Sequence, residues 1–361
     1  MMKTFANRIE ALMRRDAVTT LPHMCLYVFS LVYGVGVRLR LFLYSAGILK
    51  AHRLPCRVVS IGNITVGGTG KTPVAMLVAE FIAASGAKVV ILSRGYKRRS
   101  KGLVVVSDYA SVLATAEEAG DEPFLMARRL AGVPVVVSSD RVGAGRLICE
   151  RFKPDYIILD DGFQHLRLFR DVNIMLVDGL VGFGNGHLLP AGILREPVSG
   201  AARADAVMVK DGRRGRGVAD ALHTMRFEPL SLTYRPGALT DVRDARQVDG
   251  GVDMLKHRKV FAIAGIANPA SFFDSIEKLG LKVIGTLVFP DHHWFTHDDI
   301  KAIMTAAVRA GADAIVTTEK DGVRLAPILS RVSNSLPVYA LHIAAACDEE
   351  ALRRLIFTEK D

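Results

Sequence analysis

Residues 58–72 read Val58-Val-Ser-Ile-Gly-Asn-Ile-Thr-Val-Gly-Gly-Thr-Gly-Lys-Thr72, and this stretch decides the fold. An apolar run leads into a glycine-rich turn, and the residues from Pro73 to Ala84 that follow have a helical composition. Glycines let a backbone turn its N–H groups toward phosphate oxygens, and the positive end of the next helix strengthens that attraction. The stretch therefore predicts a strand, a phosphate-binding loop and a helix.

The predicted loop departs from the usual phosphate-loop pattern at its first position, where Thr65 stands in place of glycine. We expect Lys71 to contact the outer phosphates and Thr72 to supply a hydroxyl ligand to Mg²⁺. A loop of this composition without a function is the alternative. The candidate nucleotide-binding residues are Thr65, Val66, Gly67, Gly68, Thr69, Gly70, Lys71 and Thr72.

A second apolar run, Asp155-Tyr-Ile-Ile-Leu-Asp160-Asp161, ends in two carboxylates. It predicts a buried strand whose carboxyl end lies at the phosphate-binding edge of a sheet. Two adjacent carboxylates repel each other in a surface turn, whereas Mg²⁺ and a lysine would neutralise them. We expect Asp160 to anchor the metal, with Asp161 as a further candidate, and an ordinary strand-end turn is the alternative.

Composition limits the class of protein. The chain has 361 residues, half of them apolar, which is enough for two domains with their own cores. Its net charge of +10, from 47 Lys and Arg against 37 Asp and Glu, favours an anionic partner such as a nucleotide, a phosphorylated substrate or an acidic lipid surface. The four cysteines are scattered, so neither a disulfide framework nor a zinc site is indicated.

Alternating short β-branched runs and amphipathic stretches predict an α/β fold with a mostly parallel sheet. The predicted domains are a helical stem at 1–50, a phosphate-loop domain at 51–225 and a smaller α/β domain at 226–361, with a linker at 211–217. Among the predicted elements are strands at Arg57–Gly62 and Lys282–Val288, helices at Arg141–Phe152 and Glu349–Phe357, and a helix that starts with a capping box at Thr296 and Asp299.

The amino-terminal stem is nearly all apolar from Leu21 to Val37, but Arg38 and Arg40 follow before the roughly 20 residues that a bilayer span needs. Aromatic residues within the stem and basic residues on both sides of it favour a helix at a membrane surface. Helices packed on the protein's own core and a true span are the alternatives. The basic residues before the apolar run are Lys3, Arg8, Arg14 and Arg15.

Two short strings are candidates for orienting or deprotonating an acceptor hydroxyl. Gly120-Asp-Glu-Pro123 places an acidic pair at a predicted helix start, where helix capping is the alternative explanation. Phe289-Pro-Asp-His-His293 places two histidines in a loop.

The sequence also favours one nucleotide over another. Proteins that read guanine carry the pattern Asn-Lys-x-Asp at a strand end, and the nearest string here, Thr318-Glu-Lys-Asp321, has Glu319 in place of that lysine. ATP is therefore favoured over GTP.

With these motifs assembled, the chain resembles the tetraacyldisaccharide 4'-kinase family, the lipid A 4'-kinases of Gram-negative bacteria. Thr65 itself agrees with that family's pattern. The matching strings are Gly62–Pro73, Ser93–Tyr96, Gly120–Pro123, Asp140–Arg141, Leu159–His165, Leu189–Pro197, Phe289–His293 and Thr317–Asp321. The resemblance implies a P-loop fold, ATP and Mg²⁺ as cofactors, and phosphorylation of the 4'-hydroxyl of a tetraacyl glucosamine disaccharide 1-phosphate at the cytoplasmic face of the inner membrane.

The resemblance also implies roles for individual residues. Asp121 and His292 would form a catalytic dyad, with His293 as the rival histidine. The implied metal ligands are Thr72, Glu122, Asp160 and Asp161, and the implied pocket residues are Tyr96, Arg141, His165, Arg195 and Glu196. We expect the domains to close around ATP.

The expected partners are the lipid A disaccharide precursor and the inner-membrane surface, contacted through the stem, with no nucleic acid and a monomeric state. The rival functions are a membrane-surface ATPase, an ATP-dependent ligase acting on a small acid, and a nucleotide-binding membrane adaptor.

Overall fold

The computed structural model describes residues 21–210, 218–224, 227–331 and 336–358. The predicted linker at 211–217 and the basic residues that precede the apolar run of the stem lie outside these ranges. The strands are β1 Arg57–Gly62, β2 Val89–Ser93, β3 Val104–Ser107, β4 Val135–Val137, β5 Tyr156–Asp160, β6 Val172–Asp178, β7 Ala206–Lys210, β8 Leu230–Asp241, β9 Lys259–Ala264, β10 Lys282–Val288, β11 Ala314–Thr318 and β12 Val338–Ala346. The helices are α1 Leu21–Ser45, α2 Lys71–Ala84, α3 Ala116–Ala119, α4 Asp121–Arg129, α5 Arg141–Phe152, α6 Val218–Thr224, α7 Pro269–Lys278, α8 His297–Arg309, α9 Glu319–Leu329 and α10 Glu349–Phe357.

The chain divides into two compact units, and each is discontinuous in sequence. Within the described residues, the first unit holds the chain up to Leu92, Asp140–Thr233 and the segment from Ala346 onward. The second unit holds Ser93–Ser139 and Tyr234–Ala345.

A parallel sheet in the order β7-β6-β1-β5-β2 forms the first unit. Its central strands are apolar and buried, as expected for strands with both faces covered by helices. Ser60 pairs with Leu159 and Ile61 with Asp160, so β1 and β5 end side by side. The loop after β1 and the carboxylates after β5 therefore lie at the same edge of the sheet.

The predicted second domain, 226–361, included the carboxyl-terminal helix α10, and the observed division differs from the prediction there. Helix α10 belongs to the first unit, because the Phe357 ring lies 5.7 Å from Phe81 and 6.1 Å from Tyr156 between ring centroids. Aromatic packing of this kind depends on tertiary contacts that local sequence patterns do not report.

The sheet of the second unit has the parallel order β10-β9-β11-β12. One cluster of buried apolar side chains includes Ile263 and Leu325, and another includes Phe272 and Val316. Strands β3 and β4 pair antiparallel. The segment Ser93–Ser139, predicted for the phosphate-loop domain, belongs here because Leu125 of α4 packs against Val323 of α9.

Sequence patterns predicted several elements with their observed bounds, namely β1, β10, α5 and α10. The capping box at Thr296 and Asp299 is present at the start of α8. Helix α9 was not predicted, because Gly322 and Pro327 inside it both lower helix propensity.

The stem forms one helix, α1, that continues through Arg38 and Arg40, so these residues do not end it. Within its segment Met24–Ser45, a stretch of 18 residues has a mean hydropathy of 1.6 and is 11% buried, and by length and composition alone the helix could cross a membrane. The helix is therefore mainly exposed rather than packed on the protein's own core.

Candidate functional site

The predicted phosphate-binding loop joins β1 to α2 and has the backbone that its glycines permit. Gly67 has φ +109° and Gly70 has φ +80°, conformations that L side chains rarely adopt. A Cβ built at Gly67 or Gly68 would meet no atom within 4 Å among the described residues, so one side of the loop is open. Helix α2 carries no acidic residue in its first turn. The arrangement suits an anion at the amino end of a helix.

Thr65 replaces the expected first glycine without backbone strain. It forms an isolated antiparallel bridge with Leu194, and the next N–H, of Val66, donates to the carbonyl of Ile193 at 2.8 Å. The start of the loop is therefore held by strand-like pairing, which any residue can adopt.

Asp161 lies between two cations at the strand edge. Its Oδ1 is 3.6 Å from Lys71 Nζ, and Arg195 Nη1 donates to both carboxylate oxygens at 3.1 and 3.2 Å. Burial alone would raise the pKa of Asp161, but Lys71, Arg195 and Arg141 together lower that pKa below its usual value. Asp161 is therefore an ionised partner of the loop lysine.

Arg141 fixes the turn that carries both acidic residues. This buried side chain donates from Nη2 to the carbonyl of Asp160 and from Nη1 to the carbonyl of Asp161, both at 2.9 Å. Asp160, at the end of β5, and Thr72, in the first turn of α2, are each 3% exposed. The resemblance implied that Arg141 is a pocket residue. In the structure its side chain binds the backbone carbonyls of the turn that carries the two carboxylates.

No group of three or more His, Cys, Asp or Glu side chains that could hold a metal ion occurs in the described part of the chain. Mg²⁺ at phosphoryl-transfer sites is usually held by one or two carboxylates together with substrate phosphates. The Asp160 and Asp161 carboxylates stand at the end of β5 and the Thr72 hydroxyl stands in the first turn of α2, after the loop that follows the neighbouring strand β1; these oxygen donors fit this chemistry. Glu122 lies in the second unit, where it pairs with Lys320, and its metal role stays a prediction.

His165 is a neutral imidazole. Burial, together with the charges of Arg141, Arg167, Arg170 and Arg40, lowers its pKa to about 4. Its Nε2 is buried and has no hydrogen-bond partner among the described residues.

Glu196, predicted for the pocket, is 2% exposed and accepts hydrogen bonds within the first unit. Its donors are Gln164 Nε2 at 2.8 Å and Arg203 Nη2 at 2.6 Å. Gln164 also donates to the carbonyl of Asn63 at 2.7 Å, so Glu196 supports the chain just before the phosphate loop. Sequence reasoning did not single out Gln164 for this contact.

The stem helix contacts the segments that carry these residues. Tyr33 Oη donates to the carbonyl of Arg195 at 2.7 Å, and Arg40 Nη2 donates to the carbonyl of Gln164 at 3.1 Å. Apolar side chains on α1 stay exposed, and they include Met24, Val28, Phe29, Leu31, Val32, Val35, Leu39 and Phe42.

Within the second unit, Asp121 and His292 form a close pair. Asp121 is the first residue of α4, His292 follows β10, and His292 Nδ1 lies 2.8 Å from Asp121 Oδ2. Burial alone would raise the pKa of Asp121, but the hydrogen bond and charge of His292, with Arg324 and Lys320, lower it. Because an ionised carboxylate only accepts, Nδ1–H donates to it and the imidazole is oriented.

His293 has different partners. Its Nε2 contacts Asp299 Oδ2 at 2.9 Å, and its ring stacks on Phe289 at 5.1 Å between centroids. Asp299 belongs to the capping box of α8, so His293 supports a helix start. The structure thus brings Asp121 together with His292 and not with His293.

Tyr96 is 60% exposed, and its ring meets the His292 ring edge-on at 5.4 Å between centroids. Three neighbours of Asp121 were not predicted as site residues: Lys320, Asp321 and Arg324. The signal that could have found them is the Thr317–Asp321 string with an arginine three residues beyond it, the spacing of neighbours on one helix face.

Comparisons with known proteins agree with these features. A family model described as tetraacyldisaccharide-1-P 4'-kinase matches residues 22–360. A protein named tetraacyldisaccharide 4'-kinase from Desulfatibacillum aliphaticivorans is 43% identical over 352 residues, covering 95% of this chain and 94% of its own. A protein of the same name from Pelobacter propionicus is 42% identical over 332 residues, covering 91% of each chain.

Among solved structures, LpxK from Aquifex aeolicus in complex with ATP is 36% identical, with a TM-score of 0.74. The match covers 93% of this chain and 99% of that one. The matches extend over both units and most of α1, so they concern the whole architecture rather than the phosphate loop alone. The chain belongs to the tetraacyldisaccharide-1-P 4'-kinase family.

Proposed function

We propose that this protein is a kinase that uses ATP and Mg²⁺ to phosphorylate the 4'-hydroxyl of a tetraacyl glucosamine disaccharide 1-phosphate, a precursor of lipid A. In this reaction the bond between the 4'-oxygen and the γ-phosphorus forms, the bond from the γ-phosphorus to the β,γ-bridging oxygen breaks, and the hydroxyl proton leaves. The observation that carries the proposal is the phosphate loop with its Lys71–Asp161 pair in a chain whose named relatives match it almost end to end.

The first unit supplies the groups that would hold ATP. The backbone of Gly67–Gly70 and the amino end of α2 attract phosphate oxygens, and Lys71 neutralises the outer phosphates. Thr72, Asp160 and Asp161 would hold Mg²⁺, which when bound neutralises charge on the transferring group. Arg141 keeps both acidic residues in place through their carbonyl groups.

The Asp121–His292 pair supplies the groups that would handle the acceptor hydroxyl. Phosphoryl transfer passes through a loose transition state and needs little deprotonation before bond formation, so orienting the hydroxyl matters more than strong basicity. An ionised Asp121 accepts the hydroxyl's hydrogen bond and takes its proton as the new bond forms. His292 fixes the direction of that carboxylate through the 2.8 Å contact.

We place the protein at the cytoplasmic face of the inner membrane, with α1 in contact with lipid. The exposed apolar side chains of α1 support this placement, because contiguous apolar surface of this kind is typical of membrane contact sites. The acceptor carries acyl chains, so an enzyme at the membrane surface would meet it where it resides.

The decisive assay incubates the purified protein with Mg-ATP and a tetraacyl disaccharide 1-phosphate. We expect a bisphosphorylated lipid together with one ADP per product. ATP consumption without the acceptor would favour an ATPase instead, and tight ATP binding with no product from folded protein would favour an adaptor. Either result would overturn the proposed function.

A further inference from the structure

Helix α9 starts at the string Thr318-Glu-Lys-Asp321, and the phosphoryl-transfer chemistry described above gives these residues no role. Thr318 caps the helix, since its Oγ1 accepts from the N–H of Asp321 at 3.1 Å. The next two side chains bind α4: Glu319 Oε1 pairs with Arg129 Nη1 at 2.5 Å, and Lys320 pairs with Glu122. One turn of α9 thus holds both ends of the helix that begins with Asp121.

Asp321 is fully buried and holds the chain just after β9. Its Oδ2 accepts from the N–H of Gly265 at 3.0 Å and from Thr318 Oγ1 at 2.6 Å. A Cβ at Gly265 would lie 2.8 Å from Asp321 Oδ1, so this approach needs glycine.

Arg324 is buried beside Asp321 and reaches two further groups. Its Nη2 donates to Asp321 Oδ1 at 2.7 Å and to the carbonyl of Gly265 at 3.0 Å, and its Nε lies 3.6 Å from Asp121 Oδ2. Replacing a buried ion pair by apolar side chains is often neutral or stabilising. A contribution to folding stability therefore explains the Asp321–Arg324 ion pair poorly. Its contacts with Asp121 and Gly265 indicate a role in positioning those two residues.

The Gly265 carbonyl also accepts from the backbone N–H of His292 at 3.2 Å. His292 has φ +58°, a conformation that a residue with a side chain keeps only where its surroundings hold it. Two contacts hold His292 in this conformation: the Gly265 carbonyl binds its backbone N–H, and the Asp121 carboxylate binds its ring.

We propose that Asp321 and Arg324 are positioning residues for the Asp121–His292 pair. Arg324 sets the carboxylate of Asp121 by its charge, and Asp321 and Arg324 together fix Gly265, whose carbonyl holds His292. The inference rests on the proposed function for its kinetic consequence, whereas its structural consequence can be measured without turnover.

The kinetic test replaces Arg324 by Met, which removes the charge, and by Lys, which keeps it. Misplacing a reacting group by about 1 Å can cost on the order of 100-fold in rate, so we expect kcat to fall roughly 10- to 100-fold in Arg324→Met and less in Arg324→Lys. KM for ATP should stay within about twofold of wild type, because the affected groups handle the hydroxyl. Arg246→Met is the control, an exposed arginine of the same unit, and it should leave kcat unchanged.

A double-mutant cycle separates positioning from general damage. In an Asp121→Asn background the carboxylate that Arg324 and His292 both contact is gone, so Arg324→Met should cost less than about threefold more in kcat. An equal loss in both backgrounds, an unchanged kcat, or a loss through KM for ATP would each overturn the inference. Should Arg324→Met fail to fold by circular dichroism, Arg324→Lys and Asp321→Asn carry the same cycle.

A spectroscopic readout keeps this inference distinct from the proposed function. In protein labelled with ¹⁵N-histidine, the His292 ring signals are assigned by their absence in His292→Gln. We expect Arg324→Met to shift the His292 Nδ1 signal and to leave the His293 signals in place. An unshifted His292 signal in a folded variant would overturn the inference even if the wild-type enzyme phosphorylates no lipid.

Discussion

His292 Nδ1 lies 2.8 Å from Asp121 Oδ2, although the two residues are 171 positions apart in the chain. The contact joins the amino end of α4 to the loop after β10, both within the second unit. It distinguishes His292 from its neighbour His293, which contacts Asp299 instead.

Removing either member of the pair should reduce turnover and leave nucleotide binding unchanged. We expect Asp121→Asn and His292→Ala each to lower kcat by about 100-fold or more, the usual range for a residue that positions or accepts a proton. Isothermal titration with ATP should give an affinity within about twofold of wild type. Unchanged turnover in either variant removes that residue from the mechanism.

His293→Gln is the matched control for His292. It removes a contact with the capping residue Asp299, so we expect the free energy of unfolding to fall by about 1 kcal/mol. Thermal unfolding should then begin at a lower temperature. Its kcat at 25 °C should stay within a few-fold of wild type. A loss as large as that of His292→Ala would reverse the assignment of the two histidines.

Thr72→Val should weaken the response to metal. The hydroxyl that we expect to ligate Mg²⁺ is lost, while the size and burial of the side chain are kept. We expect the half-saturating Mg²⁺ concentration for turnover to rise several-fold at saturating ATP. An unchanged Mg²⁺ titration would exclude this hydroxyl from the metal site.

His165 makes folding stability depend on pH. Its pKa is about 4 in the folded protein and 6.5 in its unperturbed state, so the unfolded chain binds a proton first as the pH falls. Stability from this group is therefore complete above about pH 6.5 and is lost progressively toward pH 4. Urea unfolding of wild type and His165→Gln between pH 7 and 4 measures the difference. Parallel stability curves for the two proteins would contradict the prediction.

A charge on the exposed face of α1 should weaken membrane binding. Val32 is 68% exposed, and Val32→Glu places a carboxylate where we expect lipid. Sedimentation with vesicles that contain anionic lipid should show at least about tenfold weaker binding, since a charged group is costly to bury in an apolar region. Val308→Glu, at a 54% exposed position on α8, is the control and should bind as wild type. Equal binding by all three proteins would argue against contact through α1.

The sequence by itself determined the features that depend on neighbouring residues. The strand, loop and helix from Arg57 to Ala84 follow from an apolar run, from glycines at positive φ and from a helical composition. The capping box at Thr296 and Asp299 is likewise a local pattern, and it marks the observed start of α8. The strings of the family resemblance, read in order, identified the family.

Only the tertiary structure decided which side chains meet. Sequence patterns could not distinguish His292 from His293 as the partner of Asp121, and they did not predict helix α9. They also assigned Ser93–Ser139 and α10 to other domains than the observed units. Contacts such as Arg324 with Asp121 depend on the order of strands in a sheet and on which helix faces pack together. Residues distant in the chain set that order, so no local periodicity encodes it. The sequence therefore defined the chemistry, and the fold determined which residues stand close enough to perform it.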